Sequence, residues 1–313
     1  MKTLMIAVFL VAFSATYAQE VQVPLDEDGK IYLIDVKLEK NLRLFPEYEN
    51  FDSWRSQTYR ELELRRRRSL PLKTWWPKYT GEDFRLELAI GALLIQQVKW
   101  ASVKKCIEGL DRYLRGNGKS FSLEGLLGIP FEKAEGLIKP CRYKTQKSKR
   151  ILKFCEFVKE SYGSINGFFR NREVKELGSQ LKSLKIGFGE ETRDCVLLYA
   201  ANLPVFIADA YARRLLNVLD ITQSDSYSEC QAIWEEGIKR DFNHDQLDSI
   251  TKEYTPEELE YALCNSPERR IPDVLLYQQF HAGIVELGIS GEWDEFKRQL
   301  LENRSSRGKI NSG

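Results

Sequence analysis

Apolar residues recur at intervals of three and four along most of the chain after residue 83, the spacing that places side chains on one face of an α-helix. The pattern predicts helices over residues 101–115, 146–162 and 272–287. Their expected apolar faces are Val103, Ile107, Leu110 and Leu114 in the first, Ile151, Leu152, Cys155 and Val158 in the second, and Val274, Leu275, Gln278, His281 and Val285 in the third. The chain is therefore predicted to be mainly α-helical.

Several residues mark helix starts. Ser122 is a favoured N-cap, and Pro130 is expected at the first helical position. The run Thr255-Pro256-Glu257-Glu258 has the form of a capping box. Asp209 precedes the helical stretch 210–219 and, taken alone, is most simply a helix cap.

The first 70 residues differ from the rest. Lys2, the apolar run 4–13 and the small residues that follow are typical of a secretory leader over residues 1–18, too short for a permanent membrane helix. Residues 19–70 are expected to form an extension with a strand near 30–38 and a charged helix near 51–68. A main domain over 71–303 and a flexible tail over 304–313 complete the predicted organisation.

Charge is balanced overall, with 47 basic and 46 acidic side chains among 313 residues. Any attraction to a polyanion must therefore come from local clusters. Lys144, Lys147 and Lys149 form one such cluster, at and just before the start of the predicted helix 146–162, whose lysines are expected to face outward. The four arginines at 65–68 are more simply a solvated helix face.

The chain offers little for metal binding. Its six cysteines are scattered without a C-x-x-C pair, and its two histidines are His244 and His281. Cys106, Cys155 and Cys195 fall on apolar helix faces and are expected to be small core residues. Neither a metal site nor a cofactor is predicted.

A glycine-rich turn separates two predicted helices. Gly187 and Gly189 are expected to adopt positive φ and to permit close backbone approach. The residues of this segment are Gly187, Phe188, Gly189, Glu190, Glu191 and Thr192. It is either a plain connector or a phosphate-binding turn, since N–H groups at a helix N-terminus can hold an anion.

Five segments together, in this order, resemble the endonuclease III-like helix-hairpin-helix DNA glycosylases, especially the 3-methyladenine DNA glycosylase III-like branch. They extend from about residue 70 to 287 and are Trp75-Trp76-Pro77 followed by residues 88–100, Ile138-Lys139-Pro140-Cys141-Arg142-Tyr143 with residues 146–150, the hairpin 187–192, Asp209, and Leu276-Tyr277-Gln278-Gln279-Phe280-His281. The resemblance implies a two-lobed, all-helical helix-hairpin-helix glycosylase fold, here with a small N-terminal α/β extension. The hairpin and Asp209 would meet at the cleft between the lobes.

The resemblance also implies roles for individual residues. Asp209 matches the catalytic carboxylate, and the hairpin residues Gly187, Phe188, Gly189, Glu190 and Thr192 match the DNA-binding turn. Gln97 matches a side chain that fills the gap left by an everted base, although a glutamine after an apolar helix is as readily an exposed cap. Lys144, Lys147 and Lys149 would contact phosphates.

The chain departs from the family's pattern at several positions. Glu191 stands where members with lyase activity have a lysine, so no Schiff base with the sugar can form there and a monofunctional enzyme is implied. Arg193 and the pair Lys185-Ile186 suggest unusual packing of the hairpin, and Gly283 replaces a pocket lysine of some relatives.

A base pocket is the least defined of these predictions. Trp75, Trp76, Trp100 and Tyr211 are candidates because an aromatic face attracts a cationic alkylated base. His281 is also a candidate. The simpler interpretation is that the aromatics and His281 belong to the core.

The sequence thus predicts a monofunctional DNA glycosylase that removes an alkylated purine such as 3-methyladenine from double-stranded DNA. Alternatives are an oxidised-pyrimidine or mismatch glycosylase on the same fold, and a non-catalytic DNA-binding module in which Asp209 is only a cap. We expect a monomer with no membrane partner. Localisation stays open, because the leader indicates export whereas DNA repair argues against it.

Overall fold

The computed structural model describes residues 84–170, 172–241 and 271–298. The leader, the extension 19–70, Trp75, Trp76, the capping box 255–258 and the tail lie outside the described residues. So do His244 and Cys264. No helix of the described part is long and apolar enough to cross a membrane.

The described residues include eleven α-helices, a further helical stretch over 293–298 and two short helical turns, and no strand occurs among them. The α-helices, in chain order, are α1 Phe84–Leu94, α2 Trp100–Gly116, α3 Leu123–Leu127, α4 Phe131–Leu137, α5 Lys144–Tyr162, α6 Ile165–Phe169, α7 Val174–Ser183, α8 Glu190–Cys195, α9 Ala210–Val218, α10 Tyr227–Asp241 and α11 Ile271–Ser290. A 3-10 turn, Lys139–Cys141, lies between α4 and α5, and a π turn, Val196–Ala200, continues α8.

The predicted helices are confirmed in these ranges, with local differences. All four expected core positions of α2 are buried, and Ser122 caps α3 by accepting the N–H of Gly125 at 3.1 Å. Pro130 is the N-cap of α4 and not its first residue. In α5 Leu152 is only half-buried, whereas Phe154, which the sequence analysis did not select, is fully buried.

One lobe is built around α5, which contacts α1, α3, α4 and α6. Its apolar face meets aromatic side chains from the following helix and from the hairpin. The ring of Phe154 makes edge contacts with Phe168 at 5.8 Å and with Phe188 at 5.7 Å between centroids. These contacts attach the hairpin 187–192 to the core of this lobe.

The second lobe packs α9 against both α10 and α11. The ring of Phe206 stacks on Trp234 at 5.4 Å and meets the edge of Tyr277 at 5.8 Å. Since Phe206 lies three residues before Asp209, this core fixes the chain that leads into α9.

The π turn lies between the two lobes. It contacts α1, α7, α8 and α11, and all five of its residues are buried. A π turn widens the helix and redirects side chains, and such turns are frequent at functional sites. Here it directs Tyr199 towards α11, which carries His281.

Candidate active site

Asp209 is the N-cap of α9, as predicted. Its Oδ1 accepts the N–H of Ala212 at 2.8 Å, with the extended backbone that a cap requires (φ −64°, ψ −179°). The side chain keeps 14% of its surface exposed. One carboxylate oxygen is therefore fixed by the cap, whereas the other is not engaged by it.

The segment before Asp209 is held in place by side chains of α10 and α9. Glu235 accepts the N–H of Phe206 at 2.7 Å, and Gln231 donates to the carbonyl of the same residue at 2.5 Å. Arg213 donates to the carbonyl of Ala208 at 2.6 Å. These bonds satisfy backbone groups that no helix pairs, and so they fix the direction in which Asp209 enters α9.

His281 is a buried, hydrogen-bonded histidine, as the simpler interpretation of the sequence expects, and it also lies beside Asp209. The ring is buried, its Nε2 is 3.7 Å from the free Oδ2 of Asp209, and its Nδ1 is 2.8 Å from the hydroxyl of Tyr199. When Tyr199 donates to Nδ1, the ring proton is on Nε2 and faces the carboxylate. The spacing of residues in the sequence did not indicate that Tyr199 contacts His281, because the π turn brings the two side chains together.

Glu191 faces the same place from the first turn of α8. Glu191 as a residue is exposed, but neighbouring atoms partly desolvate its carboxyl group and so raise its pKa; the negative charge of Asp209 raises that pKa further, and Arg213 and His281 partly offset the effect. Glu191 is thus electrostatically coupled to Asp209. The hairpin helix and the cap of α9 therefore meet at one site.

The hairpin has one left-handed glycine and not two. Gly187 has φ +95°, and a Cβ there would lie 2.7 Å from the guanidinium of Arg150. Gly189 has φ −67°, so the prediction of positive φ is wrong at that position. A Cβ on Gly189 would meet no atom within 4 Å, and its surroundings are open to an approaching ligand.

The hairpin exposes backbone groups to solvent, because its one large apolar side chain, that of Phe188, is buried. Phe188 is 6% exposed and packs on Phe154, so its side chain anchors the turn. The first bond of α8 runs from the N–H of Arg193 to the carbonyl of Gly189. The amides of the preceding first-turn residues, Glu190, Glu191 and Thr192, have no carbonyl one turn back within the helix.

Gln96, which the sequence analysis did not single out, ties the hairpin to the end of α1. Its Nε2 donates to the carbonyl of Gly187 at 2.7 Å and to Thr192 Oγ1 at 3.0 Å. Its Oε1 accepts from Arg150 at 2.8 Å. The next residue, Gln97, is exposed and has φ +61°. The loop therefore holds one glutamine inside and projects the other outward.

Lys147 is not at the surface, and its predicted contact with phosphate is wrong. It is 2% exposed, and its ammonium donates to the carbonyls of Leu94, Gln96 and Cys141 at 2.8, 2.8 and 2.6 Å. Burial lowers the pKa of Lys147. The helical spacing indicated this burial, because residue 147 lies four positions before the buried Ile151 and so shares its helix face.

The two other lysines of the cluster are exposed. Lys149 lies on the outer face of α5, and Lys144 Nζ is 3.8 Å from a carboxylate oxygen of Glu135. Both can reach a ligand from the surface.

The candidate pocket aromatics are only partly described. Trp100 begins α2, is half-buried and packs on the core. Tyr211 is half-buried, and its ring lies against Gly288, where a Cβ would come within 2.2 Å. Gly288 is two helical turns beyond His281, roughly 10 Å along the axis of α11. Tyr211 therefore has a packing role between α9 and α11, and its contact with a base stays a prediction.

Metal-binding side chains are not grouped in the described ranges, where no three of His, Cys, Asp and Glu lie close enough to hold an ion. The chemistry available at the described site is that of a fixed carboxylate, a histidine and an adjacent acid.

Comparison with known proteins gives a consistent picture. Residues 90–240 match the HhH-GPD superfamily of base excision DNA repair proteins. A protein of Methanocaldococcus jannaschii named "Putative DNA repair glycosylase" is 29% identical over 184 residues, which cover 58% of this chain and 76% of that protein. Among solved structures, H. pylori 3-methyladenine DNA glycosylase (MagIII) bound to 1,N6-ethenoadenine has a TM-score of 0.55 at 22% identity, covering 75% of this chain and 98% of that one. That likeness supports the all-helical, two-lobed fold.

Proposed function

We propose that this chain, which belongs to the endonuclease III-like helix-hairpin-helix superfamily of DNA repair glycosylases, hydrolyses the N-glycosidic bond of a damaged base in double-stranded DNA with Asp209 as the catalytic carboxylate. The observation that carries the proposal is the position of Asp209. It is held by the cap of α9 and by the bonds to residues 206–208, keeps an exposed edge, and lies beside the first turn of the hairpin helix.

The carboxylate would act on the sugar. Cleavage of an N-glycosidic bond develops positive charge on the sugar ring, and a fixed negative charge stabilises that state more than it stabilises the substrate. Oδ2 is the oxygen suited to this task, because Oδ1 is occupied by the N–H of Ala212. The same oxygen can orient the water that attacks the anomeric carbon.

His281 would act through Asp209 and is best described as a positioning residue. Its Nε2 lies 3.7 Å from Oδ2, and Tyr199 fixes the ring from the other side. With its proton on Nε2, the ring would face Oδ2 and help to orient the carboxylate.

The hairpin would bind the DNA backbone. The open surroundings of Gly189 and the first-turn amides of α8 suit a phosphate oxygen, and the buried ring of Phe188 keeps the turn rigid. Gln97 projects from the loop after α1, and Gln96 in the same loop binds the hairpin. Gln97 is therefore suited to enter the duplex beside the phosphate that the hairpin binds.

We assign an alkylated purine such as 3-methyladenine as the substrate and base removal without strand cleavage as the reaction. A cationic alkylated base leaves without prior protonation, so a carboxylate that stabilises the sugar is sufficient. Glu191 provides no amine for a covalent intermediate. The protein is proposed to work as a monomer without a cofactor.

One observation favours a second candidate, an oxidised or mismatched neutral base. A neutral leaving group needs an acid, and the raised pKa of Glu191 makes its carboxyl group a better proton donor near neutral pH. The substrate panel below separates the two.

The test is incubation of the purified protein with duplexes that each carry one defined lesion, followed by analysis with and without alkali. Nicking that requires alkali at 3-methyladenine supports the proposal. Alkali-dependent nicking only at a neutral lesion supports the second candidate, and nicking without alkali contradicts the monofunctional assignment. Binding without base release indicates a DNA-binding module.

Asp209→Asn keeps the cap and removes the charge. We expect it to lower base release by at least about 10²-fold with unchanged DNA affinity. Asp220→Asn, a matched change at a carboxylate that pairs with Lys297 at the surface, should leave release unchanged. Normal base release by Asp209→Asn would refute the assignment of the catalytic residue.

A further inference from the structure

Cys106 and Cys141 lie closer together than their separation of 35 residues in the sequence would suggest. Their Sγ atoms are 2.9 Å apart, and both residues are 0% exposed. A disulfide bond has a length of about 2.05 Å, so the sulfurs need to move by less than about 1 Å to bond. We propose that Cys106 and Cys141 are a disulfide-forming pair that links α2 covalently to the 3-10 turn Lys139–Cys141.

The fold brings the two thiols together by packing two of its elements. Cys106 is on the buried face of α2, and Cys141 ends the 3-10 turn that packs on that helix. Cys155 is equally buried within α5. It therefore serves as a control for burial alone.

The surroundings favour one thiol as the attacking group. The Cys106 thiol donates a hydrogen bond to Cys141 and lowers the pKa of Cys141, and the positive charge of Lys147 lowers it further. Because the thiolate is the nucleophile in disulfide exchange, Cys141 attacks more readily.

The reaction requires an oxidant, and a small-molecule disulfide such as oxidised glutathione supplies it. One thiolate attacks the glutathione disulfide, forming a mixed disulfide and releasing one reduced glutathione. The second cysteine thiolate then attacks the protein sulfur of that mixed disulfide and releases the other glutathione. Two thiols lose two electrons and two protons, and one glutathione disulfide becomes two thiols. Since both cysteines are buried, exchange takes place during folding or when the short 3-10 turn opens.

The bond would also stabilise the loop that bears Gln97. Lys147 donates to the carbonyl of Cys141 and, with the same ammonium group, to those of Leu94 and Gln96. A covalent link at Cys141 therefore fixes one of the three carbonyl anchors of that ammonium. The inference stands whether or not the chain is a glycosylase.

The experiment compares the full-length protein refolded with oxidised glutathione and the same protein kept in a phosphine reductant. We expect the oxidised sample to be lighter by about 2 Da and to yield one cross-linked peptide containing Cys106 and Cys141. The midpoint of thermal unfolding should rise by an amount on the order of 10 °C, because the link closes a loop of intermediate length in the unfolded chain.

Cys106→Ala should lose the cross-linked peptide and the shift between oxidised and reduced samples, whereas Cys155→Ala should keep both. Peptide maps of oxidised wild-type protein that show Cys106 and Cys141 both alkylated, or each linked to glutathione, would overturn the inference. This readout needs no variant to fold. The experiment does not measure base release, so a failure of the disulfide inference is distinguishable from a failure of the proposed function.

Discussion

Two adjacent glutamines offer the sharpest test of how the site is built. Gln96 is half-buried and bonds to Gly187, Thr192 and Arg150, whereas Gln97 is exposed in a left-handed conformation. Gln96→Ala should destabilise the fold and displace the hairpin. Gln97→Ala should leave the fold intact and impair only the step in which a base is everted.

The magnitudes follow from these contacts. Each net hydrogen bond contributes about 1 kcal/mol, so the loss of three makes Gln96→Ala less stable by about 2–4 kcal/mol. Gln97 is exposed, and alanine adopts the left-handed backbone conformation at this position no less readily than glutamine. The change in stability should therefore stay within about 0.5 kcal/mol. If Gln97 fills the gap in the duplex, its loss should slow base release by at least about tenfold.

Urea unfolding measures the first effect, and single-turnover base release at saturating enzyme measures the second. Both variants are compared with wild type in the same buffer. Equal stability of Gln96→Ala and wild type would mean that the bonds to the hairpin do not hold it. A stable Gln97→Ala that releases base at the normal rate would show that this side chain has no part in eversion.

Further predictions use charged residues of the same region. Lys147→Met should lower the free energy of unfolding by about 3 kcal/mol, because three buried carbonyls lose a charged donor; an unchanged urea midpoint would contradict this. Its surface counterpart Lys149→Met should keep the urea midpoint but reduce the salt slope of DNA binding by about 0.9, the contribution of one phosphate contact; an unchanged slope would exclude that contact. Because the pKa of Glu191 is raised in the folded protein, ionisation of this residue destabilises the fold as pH rises above its unfolded pKa of about 4.3. Glu191→Gln should therefore be more stable than wild type at pH 7 and lose that advantage near about pH 4. A stability difference that does not change with pH would refute the coupling. Glu191→Lys places an amine beside Asp209 and should yield a complex with abasic DNA that borohydride traps, which wild type does not form; no trapped complex would show that residue 191 cannot reach the sugar.

Much of the fold could be predicted because local sequence and tertiary packing agree. The buried face of α2 follows directly from its apolar spacing, and Ser122 and Asp209 cap helices as their residue types suggest. The hairpin also followed from its glycines, although only Gly187 uses positive φ. Gly189 instead leaves open space in front of the helix, which its residue type alone does not reveal.

Residues that depend on contacts distant in sequence could not be predicted in the same way. Gln96 and Gln97 are chemically identical, and only the point at which α1 ends decides which of them turns inward. That point depends on Lys147, whose ammonium binds carbonyls at the end of α1 from 51 and 53 residues away. Tyr199 reaches His281 across 82 residues because a π turn interrupts the regular helix.

The position of Asp209 combines both kinds of information. Its residue type and the following helix make it a cap, a property that any protein with this local sequence would share. What distinguishes it is that α10 holds the preceding backbone, α11 supplies His281, and α8 brings Glu191 to the same place. A carboxylate that serves only as a cap needs none of these three contacts. The backbone support before Asp209, the 3.7 Å separation of His281 Nε2 from its Oδ2 and its electrostatic coupling to Glu191 are the physical reasons for which we propose Asp209 as the centre of the site.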